Sequence, residues 1–423
     1  MRLRLVLFLL ATLALGGVAP ALVQETDPSE LLKTADQMIE ITARIRGLEP
    51  KAPISRGVKS RAEISQYLDE EVQDNYSQNE LKEEGKLLRI LGLIPASIDY
   101  KEFVLKLYTE QIAGFYDPAK KTLFIASWLP TDEQKPTMVH ELDHALQDQY
   151  FNIEKIRKED LQRHNDDKAL AHEAFLEGEA IVVMLNYQLE PVKRDFSQLS
   201  DLAPAMGVMV TSMQSQFPVF SSAPAYLQGT LFFPYRYGAS FLQKIWAKNP
   251  SWEAVNKVYS DLPASTEQII HPEKYYGVRD DPKPVDAEPI AAKLDGWKIT
   301  YKNVLGEYSL DLLLSVYLSE ERSKRSAAGW GGDQVLLLEN GAGKAAVLVD
   351  TVWDSVDEAD RFYQAMEAWF LKRFPNAHKS GETTAGFSLT QDKEIHSLRH
   401  EGADVRFIIG LPESDAKLLT VFQ

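Results

Sequence analysis

The stretch TMVHELDHALQDQYF, residues 137–151, decides how this chain is read. Two histidines, His140 and His144, stand four apart and bracket Glu141. At about 100° of turn per residue, Met138, Leu142, Ala145, Leu146 and Gln149 gather on one side of a helix. His140 and His144 lie together on another side, flanked by Glu141 and Asp148. Side chains one turn apart on one face can bring two imidazole nitrogens to a single metal ion. Glu141 is offset, out of reach of that ion and within reach of a water held by it. The stretch therefore predicts one helix face for packing and another for chemistry. The plain alternative is a solvated helix carrying two of the chain's eight histidines.

A metal needs a third ligand, and the chain has no cysteine to offer. The pattern HExxHxxGxxH would supply a histidine further along, but Gln147 stands at the glycine position and Tyr150 at the histidine position. A second helix, DDKALAHEAFLEGEAIVVMLNYQ, carries Glu173, Glu177 and Glu179. With Leu170 as origin, Ala174, Ile181 and Leu185 form an apolar stripe, and Glu177 falls in its middle. Glu173 lies on the flank, and Glu179 points the opposite way, to solvent. An unpaired carboxylate in an apolar stripe is costly, and a metal relieves the cost. Glu177 is the expected third ligand and Glu173 the alternative; a buried salt bridge is the competing account of Glu177. Gly178 beside it lets the two helices approach closely.

The chain has 423 residues, 44% hydrophobic and 26% charged, which fits a globular protein of two or three units. A net charge of −16 argues against nucleic acid or anionic lipid as a partner. MRLR followed by LVLFLLATLALGGVA and Ala19-Pro20-Ala21 reads as a cleaved export signal over residues 1–21. No later segment is long and apolar enough to span a bilayer, so a periplasmic or extracellular protein without stable membrane insertion is expected. Residues 22–95 read as a polar helical region, and 96–280 as the unit that holds the motif. Residues 281–300 form a Pro- and Asp-rich linker around VRDDPKPVDAEP, and 301–423 a small α+β module. In that module VLLLENGAGKAAVLVDTVW reads as a hairpin with Asn340-Gly341 in its turn, and GWGGD, residues 329–333, as a tight turn. The fold class is α+β: a mainly helical domain with a small edge sheet, then the C-terminal module.

HELDH followed by FLEGEA resembles the gluzincin zinc peptidases, whose third ligand is a glutamate from a downstream helix. FLEGEA is similar to the LxEGxA segment of the M1 aminopeptidases, which assigns the ligand role to Glu177. HEAFLE is similar to a segment of angiotensin-converting-enzyme-like peptidases, which would assign it to Glu173. EQIAGFYDP, VHELDHALQDQYF, LEGEA, FPYRYGASF, STEQIIHPEKY and AAGWGGDQ, over roughly residues 45–360, resemble a largely uncharacterised group of exported bacterial HExxH proteins. That resemblance implies a zinc metallopeptidase fold without a defined substrate. The chain has no GxMEN-like segment of the kind M1 enzymes use to hold a substrate amino terminus.

The expected function is an exported Zn2+-dependent endopeptidase that hydrolyses peptide or protein substrates. Three ligands leave one position for water, and Glu141 is the general base. Tyr235, Tyr237 and His271 are candidate oxyanion donors. Asp148, a turn beyond His144, is a candidate to hold a ligand's second ring nitrogen. GFYDPAKKTLFIA, residues 114–126, reads as two strands, and the family analogy makes it an edge that pairs with extended substrate. The second reading is a non-catalytic zinc-binding or chaperone-like scaffold that keeps the fold. A site closed off by residues 26–95 or by the C-terminal module would favour that reading, or a latent form.

Overall fold

The computed structural model describes residues 26–75, 77–162, 164–213, 217–383 and 385–422. The expected export signal lies outside them. Helix α1 (Pro28–Arg46) starts where Asp27 accepts from the Ser29 N–H and ends at Gly47 in a left-handed conformation. Strand β1 (Ser55–Lys59), α2 (Arg61–Asn75), α3 (Gln78–Leu91) and α4 (Tyr100–Gln111) follow. Then come β2 (Gly114–Asp117) and β3 (Thr122–Ala126). Asp117 Oδ1 accepts from the N–H groups of Ala119 and Lys120, which shapes the turn between β2 and β3. The sheet order is β1-β3-β2, with β1 parallel and β2 antiparallel to β3. The polar SRGVK of β1 carries no strand pattern; the free edge of β3 makes it one.

The next helices build the centre of the molecule. They are α5 (Thr131–Phe151), α6 (Ile153–Gln162), α7 (Asp166–Leu189), α8 (Leu202–Met213) and α9 (Pro218–Ser222). After them come α10 (Ala225–Lys248), α11 (Trp252–Val258), α12 (Thr266–Ile270) and α13 (Glu273–Tyr276). HELDH lies in α5 and LEGEA in α7. Helix α5 departs from a two-faced design, because every residue from Thr137 to Asp148 is buried. The face that carries the histidines is covered as fully as the apolar one.

The C-terminal part holds α14 (Glu288–Ala291), β4 (Trp297–Asn303), α15 (Gly306–Ser315), α16 (Glu320–Ala327), β5 (Trp330–Asn340), β6 (Ala345–Trp353) and α17 (Val356–Arg373). Strands β7 (His378–Thr383), β8 (Gly386–Gln391), β9 (Glu394–Glu401) and β10 (Asp404–Pro412) complete an antiparallel sheet of order β4-β5-β6-β10-β9-β8-β7. Asn340 Oδ1 accepts from the N–H groups of Ala342 and Lys344 in the β5–β6 turn. GWGGD is a turn only at Gly329, which has a left-handed φ of 85°. Its Trp330 starts β5, and Asp333 accepts from the backbone of Leu305 and Gly306 and from the Trp330 indole. Three buried donors for one carboxylate explain a strand start that glycine content alone reads as a turn. Residues 281–300 pack along this strand: the Lys283 N–H donates to the Gly331 carbonyl at 2.7 Å. Buried apolar side chains from Leu31 to Ile409 form one continuous cluster, so helical part and sheet share a core.

Candidate metal centre

Three helices set the geometry. Gly178 of α7 and Gly238 of α10 meet backbone to backbone. A Cβ on Gly238 would run into the Ala174 carbonyl, and one on Gly178 into the Gly238 carbonyl. Gly178 therefore admits α10, and not α5 as the sequence suggested. The close crossing lays Tyr235, one turn before Gly238, against Glu177, whose carboxyl accepts from the Tyr235 hydroxyl. The Tyr235 ring centroid is 6.4 Å from that of His140.

His140 Nε2 and His144 Nε2 are 3.1 Å apart. Glu177 Oε2 lies 3.0 Å from the first and 3.7 Å from the second. A tetrahedral ion with bonds of about 2.0–2.1 Å has ligand atoms about 3.3–3.4 Å apart, and the three distances bracket that edge. The three side chains are at most 1% exposed. Glu177 Oε2 has no hydrogen-bond partner among the described residues. A buried carboxylate oxygen facing two imidazole nitrogens is a donor set that suits a cation. These residues can hold a metal ion.

Electrostatics favour the binding form of the rings. Burial lowers His140 to about 3, against a hydrogen bond with the Ala180 backbone that raises it. Burial and the neighbouring His140 push His144 down as well. Both rings are neutral at pH 7, the state that ligates metals. Burial raises Glu177 well above the usual carboxylate range, and Glu173 and Glu141 add to the shift while the Tyr235 hydroxyl opposes it. A bound cation reverses that pressure. Glu173, the alternative ligand, thus stands close enough to act on Glu177 and is not one of the three converging residues.

Glu141 sits beside this group and outside it. Its Oε2 accepts from the Tyr116 N–H of β2 at 2.9 Å, while Oε1 has no hydrogen-bond partner among the described residues. Burial raises Glu141 well above its ordinary range, and the Tyr116 N–H works against the shift. The same bond corrects the expectation that residues 114–126 offer an edge to substrate. All four residues of β2 are buried, and the outward N–H of Tyr116 is already taken.

Around the ligands runs a polar shell. His144 Nδ1 lies 2.9 Å from Gln147 Oε1. Gln147 Nε2 donates to Asp143 Oδ2 at 2.9 Å and to the Leu176 carbonyl at 3.0 Å. Arg46, at the end of α1, is fully buried; its Nε lies 2.6 Å from Glu179 Oε1 and 3.9 Å from Asp143 Oδ1. Tyr259 donates to Glu179 Oε2 at 2.9 Å, and the Arg46 guanidinium stacks over Trp252. Glu179 is thus fully buried and paired, not directed to solvent, because α1 and the segment after α11 cover that side of α7. Asp148 does not hold a ligand ring. It accepts from the Tyr116 hydroxyl and pairs with Lys121, and Gln147 takes the place expected of it. His271 is engaged elsewhere: its Nε2 is 3.0 Å from Glu307 of α15. Tyr237 faces Phe233 and Tyr308. Gln147, Arg46 and Tyr116 are the site residues that the sequence reading missed. Only Gln147 had a signal, its i+3 spacing from His144.

Residues 101–208, from α4 into α8, match the family model described as the IrrE N-terminal-like domain, peptidase M78, which supports a metallopeptidase-like family. Residues 298–419 match a model described as a domain of unknown function, DUF8575. No curated protein matches the chain. A crystal structure of a candidate hydrolase with a novel fold from Chloroflexus aurantiacus is similar at 17% identity, covering 60% of this chain and 91% of that one, with a TM-score of 0.38.

Proposed function

We propose that the chain is an exported zinc peptidase that cleaves peptide or protein substrates internally. The observation that carries this reading is the buried convergence of His140 Nε2, His144 Nε2 and Glu177 Oε2. The peptidase-type match over the same helices supports it. Zinc, when bound there, supplies a Lewis acid that polarises a carbonyl and acidifies water.

The chain's own residues do the rest. The Tyr116 N–H fixes one oxygen of Glu141, which leaves Oε1 as the atom that takes and returns a proton. Tyr235 steadies Glu177 through its hydroxyl, so its first role is to orient a ligand; a donor role to an oxyanion would need that bond to open. Residues 1–21 would send the protein to the periplasm or outside the cell, and the net charge of −16 disfavours nucleic acid as a partner.

One observation favours a second reading. His140, Glu141 and His144 are fully buried, and the β2 edge beside them is covered. A protein that holds the metal without turning over substrate would look like this. The separating experiment is hydrolysis of an unfolded protein by the zinc-loaded mature chain and by its Glu141→Gln variant. Cleavage by the first and not the second supports the peptidase; zinc binding with no cleavage by either supports the scaffold.

A further inference from the structure

We infer that Gln147 is the positioning residue that fixes the tautomer of His144, leaving its Nε2 bare for a metal. The inference rests on the metal reading above only for what Nε2 is used for.

A glutamine side chain presents a carbonyl oxygen on one side and two N–H donors on the other, and isolated from its partners it can be placed either way round. Here its surroundings allow one orientation. The Leu176 carbonyl can only accept, and it lies 3.0 Å from Gln147 Nε2, with Asp143 Oδ2 at 2.9 Å from the same nitrogen. The NH2 group therefore faces them, and Oε1 faces His144 Nδ1 at 2.9 Å. An oxygen there accepts, so Nδ1 carries the ring proton. In a neutral imidazole the other nitrogen is then unprotonated. With the amide reversed, its NH2 would meet Nδ1, the proton would move to Nε2, and that nitrogen could no longer ligate.

Two further contacts hold the amide in register. The Leu176 carbonyl belongs to α7, one residue before Glu177, so Gln147 ties the helix of the histidines to the helix of the glutamate. Asp143 is itself held from the other side, because Arg46 lies 3.9 Å from its Oδ1 and is shared with Glu179. Asp143, between the two histidines in sequence, thus acts through Gln147 and touches neither imidazole in the contacts described.

The test is the protonation pattern of His144 in the metal-free mature protein, read from the nitrogen-15 shifts and ring-proton couplings of the histidines. The wild type is expected to show the Nδ1–H form. Gln147→Met keeps size and removes both the acceptor and the donors; it is expected to shift His144 toward the Nε2–H form and to weaken zinc binding about ten- to a hundredfold in a chelator competition. An Nε2–H form in the wild type overturns the inference, and that measurement stands even where Gln147→Met does not fold. Wild-type tautomer and zinc affinity in a folded Gln147→Met protein also overturn it. The two readings fail separately. An Nδ1–H form in a protein that takes up no zinc removes the metal reading and keeps the positioning role, whereas an Nε2–H form in a protein that binds zinc does the reverse.

Discussion

Among the described residues the molecule twice gathers three ligand-type side chains within 4.8 Å, and the two clusters solve the same problem in opposite ways. Glu267, Asp280 and Asp354 surround Lys274, whose Nζ is 2.6, 2.8 and 2.7 Å from them in turn. That cation belongs to the chain, and it fastens α12 and α13 to the end of β6. His140, His144 and Glu177 converge as closely, with no lysine or arginine among them in the described residues. A buried arginine, Arg46, lies one layer further out, between Asp143 and Glu179. A cluster neutralised from within is complete as folded. A cluster of acceptors inside a shell that holds the cation can take up a metal ion.

The difference can be broken at several points. The largest effect is expected at Arg46. Arg46→Met strands Asp143 and Glu179 in the interior, which should cost about 3–5 kcal/mol of stability by urea titration. A loss below about 1 kcal/mol would mean that the shell does not depend on Arg46. For the same reason, removing residues 22–95 is expected to unfold the centre and not to unmask activity. Next comes Glu141→Gln, which should retain zinc and cut hydrolysis about a hundredfold, the ordinary worth of a general base. Equal activity in the two proteins would take Glu141 out of the chemistry.

At the other cluster, Lys274→Met leaves Glu267 buried among carboxylates. Burial and Glu307 already raise Glu267 to about 9. Lys274 is partly open to solvent, so the expected cost is reduced to about 2–3 kcal/mol, with zinc content unchanged. A change in zinc content would show that the two clusters are coupled.

His396 offers a milder contrast, a buried histidine whose nitrogen is satisfied by the fold. The Gly410 N–H donates to its Nδ1 at 3.1 Å, and its ring stacks on Phe374 at 3.7 Å. Burial, and then Arg373, lower it to about 4 from its ordinary 6.5. The unfolded chain therefore binds more protons between these values. The His396 contribution is complete above about pH 6.5 and is lost progressively as pH falls to about 4, a change of up to about 3 kcal/mol. His396→Phe should remove that part of the acid sensitivity in melts across the same window. An unaltered pH slope would contradict it.

How far the sequence could be read follows from these particulars. The meeting of His140, His144 and Glu177 was legible because helix periodicity fixes which side chains share a face and which carboxylate sits in an apolar stripe. Glu179 was misread by the same arithmetic. The half of α7 opposite the stripe is solvent-facing only if nothing packs on it, and Arg46, 133 residues earlier, packs there. Asp148 and Gln147 are neighbours that exchanged roles, since a difference of about 100° decides which of them meets the ring. His271 precedes a proline and lies at the C-cap of α12, but its partner, Glu307, comes from a helix 36 residues on. In the C-terminal sheet β5, β6, β8, β9 and β10 were legible as short runs between turn signals, and β4 and β7 were not; β1 depended on a partner and not on its own pattern.

The most direct measurement is zinc stoichiometry and affinity in the mature wild type and in His140→Ala, Glu177→Ala and Glu173→Ala, each checked for folding by circular dichroism. About one tightly bound zinc is expected in the wild type, with thermal stabilisation by added metal, since a ligand that binds only the folded state stabilises it. That zinc is expected to be lost in His140→Ala and Glu177→Ala and retained in Glu173→Ala. Unchanged metal content in folded His140→Ala or Glu177→Ala, or loss of zinc in Glu173→Ala alone, would contradict this assignment.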